Sequence, residues 1–372
     1  MKIAFVSDAA FPWHVGGVER TERMEAEALA KIHEVHFFSF KWKGMKPEFT
    51  DKGIHYHCSH YLTDNEFYRH GRRSIREGIY FSLIVWKLFN YRFDVIQVNA
   101  FPILHLPVVK LYCRLFNCKL IMDVHELWSK EKWTEYLGQA VGGNVSRYAD
   151  QAISGADMYI ANPGETYEGL LKLGIDKKRI RIFTPIIDDK EIKSIKAKQR
   201  KGLVVFGGRL IKEKRFDKWL KVMKSVSEVV QGAKGMIVGD GPDRDHVKSE
   251  IERMGLGGVV ELREYYKEKK DIYRLVKSAS IMLNMSEREG LSALALESLA
   301  LGTPVVLPDY SPIPDVVKSM CVVGSERALP GMIAKILKSR DKSFFIKNRK
   351  DLERFKSSAI TSFYKELFSM LR

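Results

Sequence analysis

Short apolar runs rich in β-branched residues recur from one end of this chain to the other, and they constrain its fold more than any other feature. The first half contains KIAFVSD (2–8), EVHFFSF (34–40), DVIQVNA (94–100), KLIMDVHE (119–126) and DMYIANP (157–163). Runs that are apolar throughout, rather than alternating, belong to strands covered on both faces. Segments of helical length, such as Glu19 to Ile32, lie between most of them. Strand alternating with helix predicts a parallel sheet, because parallel neighbours need a crossover connection and the helix supplies it. The pattern pauses at Lys190 to Lys201 (KEIKSIKAKQRK) and restarts with LVVFGGR (203–209), GMIVGDG (235–241), VVELRE (259–264), ASIMLNM (279–285) and TPVVLPD (303–309). The chain's 372 residues hold two domains at roughly 100–200 residues each. The expectation is an α/β protein of two doubly wound, Rossmann-like domains facing a central cleft. The divisions fall at residues 1–188, a linker at 189–201, a second domain at 202–348, and a helical segment at 349–372 that packs back on the first domain. Ligands of such sheets bind beyond the C-terminal ends of the strands, so the chemistry is sought in loops that follow strands.

Composition narrows the class. Apolar residues at 45% and charged residues at 29% supply a sizeable core, excluding a disordered chain, a collagen-like repeat and a small disulfide scaffold. Lys and Arg number 62 against 46 Asp and Glu, and the net charge of +16 favours an anionic partner: nucleic acid, a membrane surface or a phosphorylated small molecule. Cys58, Cys113, Cys118 and Cys321 form no CxxC pair, so neither a disulfide framework nor a zinc site is expected. The opening MKIAFVSDAAFPW runs into Asp8 without a small-residue cleavage site and does not read as a signal peptide. The longest apolar stretch, Ile79 to Phe89, contains Lys87 and falls short of the ~20 residues that span a bilayer. A reduced, cytoplasmic protein is expected, at most peripheral at the inner face of the cell membrane.

Two constellations carry chemistry. In SEREGLSALALESLALGTPVV (286–306), a strand is followed by a loop and then a helix, with Glu289 and Glu297 eight residues apart. That spacing covers roughly 12 Å of helix axis, one carboxylate at the helix mouth and the other two turns along. Gly290 removes a side chain where a ligand would approach backbone N–H groups, and a helix N-terminus favours an anion. Hydroxyl-binding carboxylates on either side of an anion site suit a nucleotide sugar; the plainer reading is an amphipathic helix with two surface glutamates. In FGGRLIKEKRFDKWL (206–220), Gly207 and Gly208 follow a strand and precede Arg209 and Lys214. A guanidinium fork and an ammonium point charge can neutralise a departing diphosphate without a metal, although the same residues would also make a solvated basic turn.

GGRLIKEK at 207–214, GDGP at 239–242 and the paired glutamates at 289 and 297 with LGTPVV at 301–306 stand in one order along the chain. With GGVER at 16–20 after the first strand, the sequence resembles the retaining glycosyltransferases of family 4 (glycosyl transferases group 1) with the GT-B fold. The resemblance covers nearly the whole chain and is loosest between residues 40 and 120. It implies an N-terminal acceptor domain, a C-terminal nucleotide-sugar domain, and hexose transfer to a hydroxyl with retention, by front-face attack and without a metal cofactor. Domain closure about the linker would assemble the site. By position it implies that Glu289 holds donor-sugar hydroxyls and that the backbone at Gly290, Leu291 and Ser292 approaches the sugar and phosphates. Glu297 would bind the ribose, and Arg209 and Lys214 would clamp the diphosphate. Gly16 and Gly17 would let a backbone N–H reach phosphate, His125 would sit over the sugar, and Gly241 with Arg263, Glu264 and Tyr265 would complete the donor pocket. The chain departs from the family in having EGLS where E-G-F-G is common, Leu291 and Ser292 replacing an aromatic and a glycine. FTPIID (183–188) also replaces the usual Asn-Gly turn.

Acceptor specificity is expected in the first domain. HGRRSIREGIYFSLIVWKLFNYR (70–92) opens with Arg72, Arg73 and Arg76 and continues to Trp86; LWSKEKWTEYL (127–137) brings Trp128, Lys130 and Lys132 just after His125. Basic residues leading into aromatics are how interfacial helices meet anionic lipid. A polyprenyl- or lipid-linked acceptor is therefore expected, with a UDP- or GDP-linked donor; the plainer reading is a buried helix with a solvated basic lead-in. The alternatives are an inactive donor-binding partner subunit, a GT-B sugar-nucleotide epimerase, and a nucleic-acid binder, for which no recognisable module is present.

Overall fold

The computed structural model describes residues 1–371 except 15, 63–67, 70, 71, 74, 185, 186, 290 and 340; the side chains of 68, 69, 72, 73 and 75 also lie outside the description. The chain forms two units, Met1–Pro185 with Ala359–Arg372, and Ile186–Ser358.

The first unit contains β1 (Lys2–Val6), β2 (Glu34–Lys41), β3 (Glu48–Asp51), β4 (Ile54–Tyr61), β5 (Tyr68–Arg69), β6 (Arg72–Arg73), β7 (Val95–Asn99), β8 (Lys119–Val124), β9 (Met158–Ala161) and β10 (Ile180–Ile182). Eight of these form one sheet in the order β10-β9-β8-β7-β1-β2-β4-β3, and β5 pairs with β6 apart from it. The sheet is parallel except for the β3–β4 hairpin, where Lys52 and Gly53 both take positive φ, +48° and +83°, as a tight hairpin turn requires. The sequence pattern misses this hairpin because IHYHCSHY is rich in His and Tyr rather than continuously apolar.

The second unit contains β11 (Leu203–Gly207), β12 (Lys234–Val238), β13 (Val260–Arg263), β14 (Ile281–Leu283), β15 (Val305–Pro308) and β16 (Val322–Gly324), in the order β13-β12-β11-β14-β15-β16. All pairs are parallel. Successive side chains enter opposite cores: Leu203, Val205, Met236, Met282 and Leu307 one, Val204, Phe206, Ile237, Ile281 and Val306 the other. Period two along strands buried on both faces accounts for their uniformly apolar composition.

The expected linker is not a free connection. Asp188 caps a helix at Asp189–Ser194 by accepting from Lys190 N and Glu191 N, both 3.1 Å. Ile187, Ile192 and Ile195 then enter the core of the second unit. Three isoleucines among lysines are enough to anchor a segment whose overall composition reads as solvated. The expected C-terminal segment also divides. Leu352 and Phe355 join the second unit's core, while the helix Ile360–Met370 buries Tyr364, Leu367 and Phe368 in the first.

Strand order reverses between β1 and β7 in the first unit and between β11 and β14 in the second. Loops leaving neighbouring strands diverge at such points and open a crevice. Both candidate sites lie there.

Candidate functional site

In the first unit, loops after β1, β7 and β8 enclose a cavity of about 350 Å³ lined by Asp8, His14, Gly16, Gly17, Asn99, Phe101, His125 and Trp128 among others. Gly16 is the N-cap of the first helix, Gly17–Leu29, and lies in extended conformation at φ −150°. A Cβ on Gly17 would meet nothing within 4 Å, so packing does not demand glycine there. Glu19, in the first helical turn, pairs with His14 Nδ1 at 3.1 Å.

His125 follows β8, with its carbonyl accepting from Asn162 Nδ2 at 2.9 Å and Thr166 Oγ1 at 3.3 Å. Its Nε2 lies 3.4 Å from Asp123 Oδ2. Burial alone would lower its pKa; the Asp123 carboxylate, with Glu22 and Glu25 behind it, outweighs burial and holds the imidazolium up to about 9. Burial pushes Glu22 well above the carboxylate range, and burial with the charge on Asp123 pushes Glu25 up to about 8. Asn99 Nδ2 donates to Glu22 Oε1 at 3.0 Å, and Gln97 Nε2 donates to Asp123 Oδ2 at 3.2 Å.

Glu22, Asp123 and His125 are the group, among the described residues, whose potential ligand atoms fall within 4.8 Å of one another. Sequence reasoning named His125 but passed over its carboxyl partners. Their signal was polar residues inside apolar runs: Gln97 and Asn99 in VIQVN, Asp123 in KLIMDV, and Glu22 and Glu25 on the same stripe as Ala26 and Leu29.

In the second unit, the loops after β11 and β14 bring two predicted residues together: Lys214 Nζ donates to Glu289 Oε2 at 2.5 Å. Glu287 N donates to Glu213 O at 2.9 Å, and Arg215 pairs with Glu287, so the two loops are tied at several points. Arg209 is exposed on the same loop as Lys214. Gly290 lies outside the described residues. Leu291 is buried in the core, and Ser292 takes φ +54° as N-cap of the helix Ala293–Ala300. Glu297 is buried on that helix and accepts from Tyr273 OH at 2.7 Å and pairs with Lys269 Nζ at 2.5 Å.

Gly241 has a structural reason to be glycine. At φ +152°, its Cβ would lie 2.4 Å from Leu210 O, where the 208–210 backbone packs on the loop after β12 through Leu210 N to Asp240 O at 2.8 Å. Arg263 ends β13 and pairs with Glu261 at 2.5 Å, and Glu264 and Tyr265 are exposed beside it.

The basic–aromatic surface divides. The side chains of Arg72 and Arg73 lie outside the described residues. Arg76 is exposed in the helix Ile75–Ile84, and Trp86 follows in a 3₁₀ turn, 48% exposed and stacked on Phe89 at 4.9 Å. Ile79 and Leu83 are exposed beside it on the helical i, i+4 spacing. Trp128 instead lines the cavity, its Nε1 donating to Glu126 Oε2 at 2.8 Å with Lys132 Nζ 4.7 Å over its ring. Lys130 is exposed at the start of the next helix. No described helix is long and apolar enough to cross a membrane.

Residues 15–191 match the model of Glycosyltransferase Family 4, and residues 188–360 match that of Glycosyl transferases group 1. The chain belongs to the family 4 glycosyltransferases. Its fold is GT-B: sucrose-phosphate synthase from Thermosynechococcus elongatus superposes with a TM-score of 0.75 at 17% identity, covering 100% of this chain and 98% of that one. Anabaena HepE, in complex with UDP and glucose, gives 0.69 at 16% identity over 99% of both chains. A GDP-mannose-dependent phosphatidylinositol dimannoside mannosyltransferase of Mycobacterium tuberculosis is 26% identical over 154 residues, 41% of this family member and 39% of the relative. The chain thus spans about two fifths of the length of the curated relatives it matches.

Proposed function

We propose that this chain transfers a hexose from a nucleotide-diphosphate sugar to a hydroxyl acceptor, with retention and without a metal. The observation that carries the reading is the Lys214–Glu289 pair at 2.5 Å, an ammonium and a carboxylate held together where β11 and β14 part. On donor binding, Lys214 and Arg209 would neutralise the diphosphate, and Glu289 would accept from sugar hydroxyls. The anomeric C–O bond breaks with its electron pair going to the leaving phosphate oxygen, and fixed cations stabilise that charge as it forms. The leaving phosphate takes the proton of the acceptor hydroxyl attacking from the same face. For the first unit, the family role of His125, a residue that contacts the donor sugar, is carried over. Glu297, already fixed by Tyr273 and Lys269, would take ribose hydroxyls.

The GDP-mannose dependence of the mycobacterial relative and the UDP in the HepE complex support a GDP- or UDP-linked donor. The phosphatidylinositol dimannoside in the name of that mannosyltransferase, with Ile79, Leu83 and Trp86 exposed near Arg76 and Lys87, supports a lipid-linked acceptor reached from the cytoplasmic face of a membrane. A thermal-shift series with UDP, GDP and ADP and their hexoses tests the donor, since a ligand of the folded state raises the melting point. Nuclear magnetic resonance of the product's anomeric proton tests retention. No shift with any of these nucleotides refutes the donor assignment. Flotation with anionic vesicles tests the surface: replacing Ile79, Leu83 and Trp86 by serine should leave the protein in the unbound fraction.

A further inference from the structure

The buried polar cluster behind His125 includes a residue from the far end of the chain. Tyr364, on the C-terminal helix of the first unit, is buried, and its hydroxyl donates to Gln97 Oε1 at 2.6 Å. The amide nitrogen of Gln97 then donates to both Glu25 Oε2, at 2.9 Å, and Asp123 Oδ2, at 3.2 Å. Asp123 Oδ2 in turn faces His125 Nε2 at 3.4 Å. The direction of this chain is set by chemistry. Glu25 and Asp123 both accept from the Gln97 NH₂, so the carbonyl of the amide faces away from them. A carbonyl buried there needs a donor, and the Tyr364 hydroxyl supplies it. Without that donor the amide loses the contact that orients it, and Asp123 loses the hydrogen bond that fixes the oxygen turned to the histidine.

We propose that Tyr364 and Gln97 are positioning residues for His125, acting on its ring through Asp123. The proposal rests on the reading of His125 as the group over the donor sugar, but its physical content, the state of one imidazole, can be measured without any reaction. The C-terminal helix thereby contributes an orienting hydroxyl as well as apolar side chains. A buried polar relay of this kind stands or falls as a unit, because removing one member leaves its neighbours unsatisfied in a low-dielectric interior.

The test is Tyr364→Phe in the whole 372-residue chain, which keeps the ring and its packing and deletes only the hydroxyl, with Gln97→Met as the second variant should the first fail to fold. Phe368→Leu, on the same helix and outside the hydrogen-bonded chain, is the control for packing. Imidazole ¹⁵N spectra of histidine-labelled protein should show the His125 resonances displaced in Tyr364→Phe and Gln97→Met and unmoved in Phe368→Leu. In donor assays, kcat should fall on the order of tenfold with the nucleotide-sugar KM unchanged. His125 resonances that stay in place in folded Tyr364→Phe or Gln97→Met protein overturn the proposal. Displacement equal to that in Phe368→Leu overturns it too, since packing alone would then explain the effect. If displaced resonances accompany a protein that turns over no nucleotide sugar, the relay stands and the assigned reaction fails.

Discussion

Ser292 holds a backbone conformation that L residues seldom adopt, and the consequence can be worked out before it is measured. At φ +54° and ψ 80° it caps the helix Ala293–Ala300, and its Oγ accepts from Asn284 Nδ2 at 3.3 Å. A side chain in the left-handed region costs roughly 1–2 kcal/mol relative to glycine. Ser292→Ala keeps that cost and deletes the acceptor of a buried amide, so it should destabilise by about 1 kcal/mol. Ser292→Gly deletes the same acceptor but relieves the backbone, and the gain is reduced by the roughly 0.5–1 kcal/mol of extra chain entropy that glycine loses on folding. The result should lie close to the unaltered protein. Glycine should therefore outrank alanine here by about 1 kcal/mol, the reverse of their order inside a helix. Differential scanning calorimetry of the full chain reads this as a melting point about 2–4 °C lower for Ser292→Ala than for Ser292→Gly. Alanine equal to or better than glycine would refute the argument, by showing that position 292 does not keep its left-handed conformation.

Three further outcomes are expected. Arg209→Ala and Lys214→Ala should each lower kcat by about 10²–10³; Arg209 is exposed and its loss should hardly move the melting point, whereas Lys214→Ala strips the partner from a Glu289 side chain only 17% exposed and should lower the melting point as well, so turnover and calorimetry should separate the two variants. Gly17→Ala should leave stability unchanged, since its Cβ meets nothing, but should shrink the thermal shift produced by a nucleotide sugar if that N–H approaches phosphate; an undiminished shift would remove Gly17 from the site. Stability should fall as pH rises: His125 goes from 6.5 unfolded to about 9 folded and Glu25 from 4.5 to about 8. Both raised values favour the protonated folded form, and that contribution is lost on passing each folded pKa. A melting point flat between pH 6.5 and 9.5 contradicts this, and Asp123→Asn should weaken the trend.

The alternation of apolar runs with helical segments located most strands of both sheets, because strands covered on both faces must be apolar throughout. It missed β3 and β4, whose aromatic and histidine residues pair at a sheet edge, and the three-residue edge strands β10 and β16, and it took Lys190 to Lys201 for a linker because lysines outnumber the isoleucines that bury it. Among site residues, Lys214 and Glu289 were legible as motif members, yet their contact was not. Trp128 was read as part of a membrane or acceptor surface, and the folded chain places it in the wall of the first unit's cavity.

The linear order of residues determined two doubly wound sheets, the family, and the loops in which charged and glycine residues would gather, since each follows from local periodicity and from motifs a few residues long. Only the folded chain decided which side chains meet: Lys214 with Glu289, and Tyr364 with Gln97 across most of the chain's length. Those encounters depend on strand order and on where a distant helix docks, and neither leaves a periodic trace in the sequence.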